Sequence, residues 1–125
     1  MDEKEFFQAV ADRSGLSRQE GADLTRATLE TLALRLSDGE VRDLALELPE
    51  PLRDSLQQGR GEMKIFGPDE TIRRVRERTG LSESEAARGV RAAFTTLQDA
   101  VSQKEFGHAM SQLGKEYAQL VESTG

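Results

Sequence analysis

The chain contains its own pattern twice: residues 5–56 align without a gap on residues 70–121, at a constant offset of 65 positions. Fifteen of the 52 aligned positions are identical, Gly15/Gly80 among them. Self-similarity at a long, fixed period is the signature of a duplicated structural unit. The alignment therefore predicts two tandem copies of one fold.

Each copy reads as four helices, because apolar residues recur at helical spacing between capping signals. The second and third predicted helices of each copy begin with a Ser-x-x-Glu capping box, in which the serine side chain and the glutamate side chain satisfy backbone N–H groups reciprocally. These boxes begin at Ser17, Ser37, Ser82 and Ser102. No sustained alternating strand pattern is present, so the predicted fold class is all-α.

The length of 125 residues suits one domain, since a single copy of this size would bury too little surface to be stable alone. We expect a single domain over residues 1–125, made of repeat 1 (1–57), a linker (58–66) and repeat 2 (67–122). The two four-helix repeats should pack with pseudo-two-fold symmetry into one compact helical unit.

Composition limits the classes of function. The chain has no cysteine, which excludes disulfides and thiolate chemistry. No stretch is long and apolar enough for a transmembrane helix, and the acidic N-terminus differs from a secretory signal, so the expected location is the cytoplasm. The net charge of −6 makes nucleic acid a disfavoured partner, because an acidic surface repels phosphates.

The run from Glu5-Phe6-Phe7 to Gly15-Leu16-Ser17, the long second helix and Leu48-Pro49-Glu50, repeated once, resemble a bacterial and archaeal family, domain of unknown function 2267. The resemblance covers nearly the whole chain and implies an all-α, two-copy helical domain. It implies no activity, substrate or site residue.

Residues 2–36 also look like the N-terminal helical hairpin of histone-like HU proteins, in which two hairpins pair to form a dimer core. That likeness implies that the two copies pair in this way within one chain. After Gly39 and Glu40, however, the sequence stays helical where HU enters its sheet and its basic DNA-embracing arm. DNA binding therefore does not follow from the likeness.

Four arginines, Arg73, Arg74, Arg76 and Arg78, form the densest local charge. Glu70 lies three and four residues before the first two of them, which is the spacing of helical ion pairs. The cluster is interpreted as a solvated, salt-linked helix face. The alternative is an anion-binding patch for nucleic acid or a phosphate ligand, helped by Arg88 and Arg91.

Three leucines of repeat 1 have no apolar counterpart in repeat 2: Leu24, Leu34 and Leu46 align with Gly89, Asp99 and Ser111. Such residues either fill a gap in the core or between the copies, or form a surface for a protein partner or for self-association. Met63, Ile65 and Phe66 of the linker either extend that surface or hold the linker down.

No catalytic constellation, phosphate loop or metal-binding motif is recognisable, so no catalytic residue, cofactor or metal is predicted. His108, the only histidine, is placed on the surface, and Glu40 and Glu105 are explained as capping residues. The leading hypothesis is a non-enzymatic helical protein-interaction module. A carboxylate-based active site in a cleft between the copies is the least supported alternative.

Overall fold

A computed structural model describes residues 1–122, without the side chain of the last of these. That part of the chain consists of helices and connecting segments and contains no strand, which confirms the all-α prediction. The helices are α1 (Glu3–Ser14), α2 (Arg18–Ala33), α3 (Asp38–Leu46), α4 (Glu50–Gly59), α5 (Pro68–Thr79), α6 (Glu83–Ala100), α7 (Gln103–Leu113) and α8 (Lys115–Glu122). Each of the last four begins 65 residues after its counterpart among the first four.

Local sequence signals set the helix ends. The Ser17 and Ser82 side chains accept the backbone N–H of the residue three positions later at 3.1 and 3.2 Å, and in return Glu20 and Glu85 each accept their cap's N–H at 2.9 Å. Gly15 ends α1 at φ 76°, a left-handed conformation that costs glycine little. The predicted capping boxes of α2 and α6 are therefore confirmed.

The helices of the two halves pack across each other. Helix α1 contacts α6, α5 contacts α2, and the counterparts α3 and α7 contact one another. These pairs correspond under the 65-residue offset; the pseudo-two-fold symmetry itself stays a prediction. The buried apolar side chains form one continuous cluster that draws on both halves, and it includes Phe6, Val10, Leu32, Leu44, Val90, Phe94 and Tyr117.

Two close approaches of helices depend on glycine. A Cβ atom on Gly89 of α6 would lie 2.5 Å from Cγ of Leu24, and one on Gly59 would lie 2.2 Å from the backbone oxygen of Glu30. The second contact lets α4 run against α2 as far as Gly59. The helix thus extends two residues into the linker that was predicted to begin at position 58.

Residues 60–67 connect α4 to α5 without regular secondary structure, with a bend at residues 61 and 62. The Lys64 N–H donates to the Leu34 carbonyl oxygen at 2.8 Å, which fixes the connection against the end of α2. None of the helices described is long and apolar enough to cross a membrane.

Candidate functional site

The arginine cluster on α5 is largely neutralised. Arg73 pairs with Glu70 and Glu77, and Arg74 pairs with Glu70 at 2.8 Å. Hydrogen bonds from both guanidinium groups lower the pKa of Glu70 to about 2. Arg74 also lies 4.6 Å from the ring centroid of Phe66.

The other two arginines of the cluster differ from each other. Arg78 reaches across to Glu30 of α2 at 2.9 Å, whereas Arg76 makes no ion pair within the described chain. The arrangement corresponds to the salt-linked face that the spacing predicts. It leaves one arginine without an ion pair, which is too little unpaired positive charge for a typical nucleic-acid-binding surface.

The three unmatched leucines lie in different environments. Leu24 is fully buried against Gly89, so its role is core packing between the halves. Leu34 is half-buried beneath the linker, where it lies 3.4 Å from the Cβ position of Gly61. Leu46, near the end of α3, is 69% exposed. Of the three, only Leu46 is an exposed surface residue.

The linker carries two exposed apolar side chains, one of them the most exposed large apolar side chain of the described residues. Ile65 is 87% exposed and Met63 is 55% exposed, although the backbone between and beyond them is tied to the fold. The Phe66 carbonyl oxygen accepts hydrogen bonds from Nε of Arg35 at 2.7 Å and from the Tyr117 hydroxyl at 2.9 Å. Both apolar side chains border a depression of about 320 Å³. The fold therefore holds them in solvent.

Buried Arg35 anchors this region. Its guanidinium donates to the Phe66 carbonyl oxygen, donates from a second nitrogen to the Leu113 carbonyl oxygen at 2.8 Å, and lies 5.5 Å from the ring centroid of Tyr117. It has no carboxylate partner in the described part of the chain. Carbonyl dipoles and aromatic faces take the place of a counter-ion.

The N-terminal end of each of α3 and α7 is capped by a side chain from near the C-terminal end of the other helix. The Ser37 N–H donates to Oε1 of Gln112 at 2.9 Å, and the Ser102 N–H donates to Oε1 of Glu47 at 2.6 Å. In each pair the acceptor lies near the C-terminal end of the opposite helix. These two N–H groups are the ones that a capping-box glutamate would otherwise satisfy.

Because those N–H groups are already satisfied, Glu40 and Glu105 do not complete their predicted capping boxes. The expectation that helix capping fully explains these two glutamates is therefore wrong. Their backbone N–H groups still donate to the serine side chains at 3.2 Å, but both carboxyl groups turn toward the space between α3 and α7.

The two carboxyl groups form an unusual buried pair. Glu40 is only 6% exposed, and when both groups are ionised Oε2 of Glu40 and Oε1 of Glu105 are buried without a hydrogen-bond donor. Burial, followed by a hydrogen bond with Glu105 and by the charges of Glu105, Asp43 and Glu47, raises the pKa of Glu40 to about 8, so the pair holds a shared proton when Glu40 is protonated. No lysine or arginine pairs with either carboxyl group in residues 1–121.

His108 lies one helical turn after Glu105 on the same face of α7. A ring nitrogen of His108 and one oxygen from each glutamate all lie within 4.8 Å of one another. The histidine is exposed, as the helical spacing predicts, but one side of it lies next to the two carboxyl groups. This cluster, Glu40, Glu105 and His108, is called the interhelix triad below.

Sequence reasoning did not bring the triad together, although a signal was present. Glu40 and Glu105 are identical positions of the two repeats. Helices α3 and α7 are counterparts that contact each other, and positions 40 and 105 lie on their facing surfaces. An identical acidic pair on such helices therefore indicates either a shared proton or a shared cation.

The match to a protein family covers residues 3–120 and carries the description "Uncharacterized conserved protein (DUF2267)". The chain belongs to the DUF2267 family. This membership confirms the resemblance seen in the sequence. It assigns no role to the triad, the linker or the arginines of this DUF2267 chain. Comparison with curated proteins gives no match.

Proposed function

We propose that this protein is a non-enzymatic helical interaction module that binds a protein partner, or a second copy of itself, through the exposed linker residues Met63 and Ile65. We also propose that it acts in the cytoplasm. The supporting observation is the exposure of Ile65 on a backbone fixed at Lys64 and Phe66.

An isoleucine that is 87% exposed contributes little to folding, and the backbone hydrogen bonds at its neighbours would persist with a polar side chain. Met63 and Ile65 border the same depression, so the two exposed side chains form one surface. Apolar side chains held in this way are typical of contact surfaces. Their pre-organised backbone lowers the entropic cost of binding.

The test compares the double variant Met63→Asp/Ile65→Asp with Leu46→Asp. The control makes the same kind of change at an exposed residue outside the linker, at the C-terminal end of α3. Sedimentation velocity over a wide concentration range reports self-association, and pull-down reports other partners. We expect the linker variant to lose association while its circular dichroism stays unchanged. Identical behaviour of wild type and linker variant, or loss only in Leu46→Asp, would contradict the proposed surface.

A second candidate function is binding of a phosphate-containing ligand or nucleic acid, and one observation favours a particular place for it. Arg13, Arg88 and Arg91 line a depression of about 270 Å³ beside α6. Arg13 is already paired with Asp99 at 2.6 Å, which reduces the charge available. Fluorescence anisotropy with labelled DNA and RNA at low salt tests the idea, because charge-driven binding is strongest there. Absence of binding under those conditions removes it.

A further inference from the structure

We propose that the interhelix triad, Glu40, Glu105 and His108, binds one divalent transition-metal ion, of the Zn²⁺ or Mn²⁺ class, between α3 and α7. The site is separate from the linker surface, so neither proposal depends on the other. It also replaces the expectation from the sequence that the chain has no metal site.

The geometry brings three ligand atoms from two helices to one point. Glu105 and His108 stand at a Glu-x-x-His spacing, which places both side chains on one face of a helix and serves metal ions in carboxylate-bridged helical bundles. Glu40 faces them from α3, with all three ligand atoms within 4.8 Å of one another. Two ligands on a tetrahedral ion are about 3.4 Å apart at usual bond lengths. Rotation of the exposed His108 side chain brings its ring nitrogen closer to the two carboxyl groups.

The buried oxygen atoms point to a ligand independently of this spacing. Glu40 is more than nine-tenths buried, and when both groups are ionised its Oε2 atom has no donor, nor has Oε1 of Glu105. A buried carboxylate without a partner is costly, and native structures pair such groups or use them to bind metals. Since Gln112 and Glu47 already cap α3 and α7, helix capping does not account for the two glutamates.

Charge and ligand type define the class of ion. Two carboxylates balance a divalent charge, while Asp43 and Glu47 add further negative charge around Glu40. The third ligand is His108, and an imidazole binds a metal in its neutral form. An imidazole favours zinc, iron and similar ions over magnesium and calcium, which prefer all-oxygen sites. With three protein ligands, water completes the coordination on the exposed side.

The experiment is isothermal titration of the full chain, prepared without a histidine tag, with Zn²⁺, Mn²⁺ and Mg²⁺ separately. We expect one Zn²⁺ or Mn²⁺ ion per chain and weaker binding of Mg²⁺. Replacing a ligand, in Glu105→Gln or in His108→Ala, should weaken binding at least about tenfold. The matched control is Glu85→Gln, the same substitution at the same position of a capped helix, which should leave affinity unchanged.

Thermal unfolding gives a second readout, because a ligand that binds only the folded state raises its melting temperature. The ion should raise the Tm of wild type and of Glu85→Gln, but not of Glu105→Gln. Absence of binding by all three ions overturns the proposal and leaves a shared proton as the occupant. Affinity within twofold of wild type in either ligand variant, or equally tight Mg²⁺ binding, also overturns it.

Discussion

The contact between Leu24 and Gly89 allows a test in which one substitution should destabilise the wild-type protein but stabilise a variant that lacks the Leu24 side chain. A Cβ atom at position 89 would lie 2.5 Å from Cγ of Leu24 and 3.0 Å from each of its methyl carbons, whereas carbon atoms in contact are normally about 3.5–4.0 Å apart. Leu24 is fully buried, so it cannot move into solvent. Gly89→Ala should therefore overpack the space between α2 and α6.

The expected magnitude combines two opposing effects. Overpacking a well-filled core costs about 1–3 kcal/mol, and three short contacts favour the upper end. Alanine gains about 1 kcal/mol over glycine within a helix. Gly89→Ala should thus lower the free energy of unfolding by about 2 kcal/mol. In a Leu24→Ala background, which itself costs about 2–5 kcal/mol, the clash is absent and Gly89→Ala should add about 1 kcal/mol of stability.

Urea unfolding followed by circular dichroism measures all four members of this cycle, with the m-value checked for constancy. Gly107→Ala is the matched control, because Gly107 lies in α7 and no atom lies within 4 Å of its Cβ position. This substitution should stabilise both backgrounds by about 1 kcal/mol. The reasoning is refuted if Gly89→Ala stabilises wild type as the control does. A coupling energy below about 1 kcal/mol would refute it as well.

Three further perturbations test other contacts. Gly59→Ala should cost about 3 kcal/mol or more in urea unfolding, because its Cβ would meet backbone atoms of Glu30 at 2.2–2.7 Å and the helices must separate. Arg35→Ala should cost about 2–4 kcal/mol by the same measurement, with Arg35→Lys recovering only part, since a lysine does not reach both carbonyl groups at once; an unchanged Cm would contradict this anchoring role. The pKa of Glu70 is lowered to about 2 from 4.5, so its ion pairs with Arg73 and Arg74 should stabilise the fold above pH 4.5 and weaken as pH falls toward 2. Melting temperatures measured across that range should fall less steeply in Glu70→Gln, and equal slopes would refute the assignment.

Much of the fold could be predicted because its signals are local. Capping boxes at Ser17 and Ser82 and glycines after α1 and α5 set helix boundaries through neighbouring residues alone. The ion pairs of Glu70 also arise within one helix. Such features depend on spacing that can be read directly from one sequence.

The candidate sites depended on contacts between distant segments, and there the sequence was ambiguous. Leu24 and Leu46 were equivalent as unmatched leucines, but one contacts Gly89 and the other faces solvent. The serine boxes of α3 and α7 looked like those of α2 and α6. In α3 and α7, however, the N–H groups of the cap serines donate to side chains that lie 75 and 55 residues away in the sequence, so the glutamates are not needed as caps. No local sequence pattern indicates this replacement.

The pairing of Leu24 with Gly89 also bears on how the duplicated halves can be rearranged. Two copies of the first half, assembled in place of the intact chain, would bring leucine against leucine where only one side chain fits. Two copies of the second half would leave a void there instead. The halves are now complementary rather than interchangeable, so a circularly permuted chain should keep this architecture, whereas a chain built by repeating either half should not.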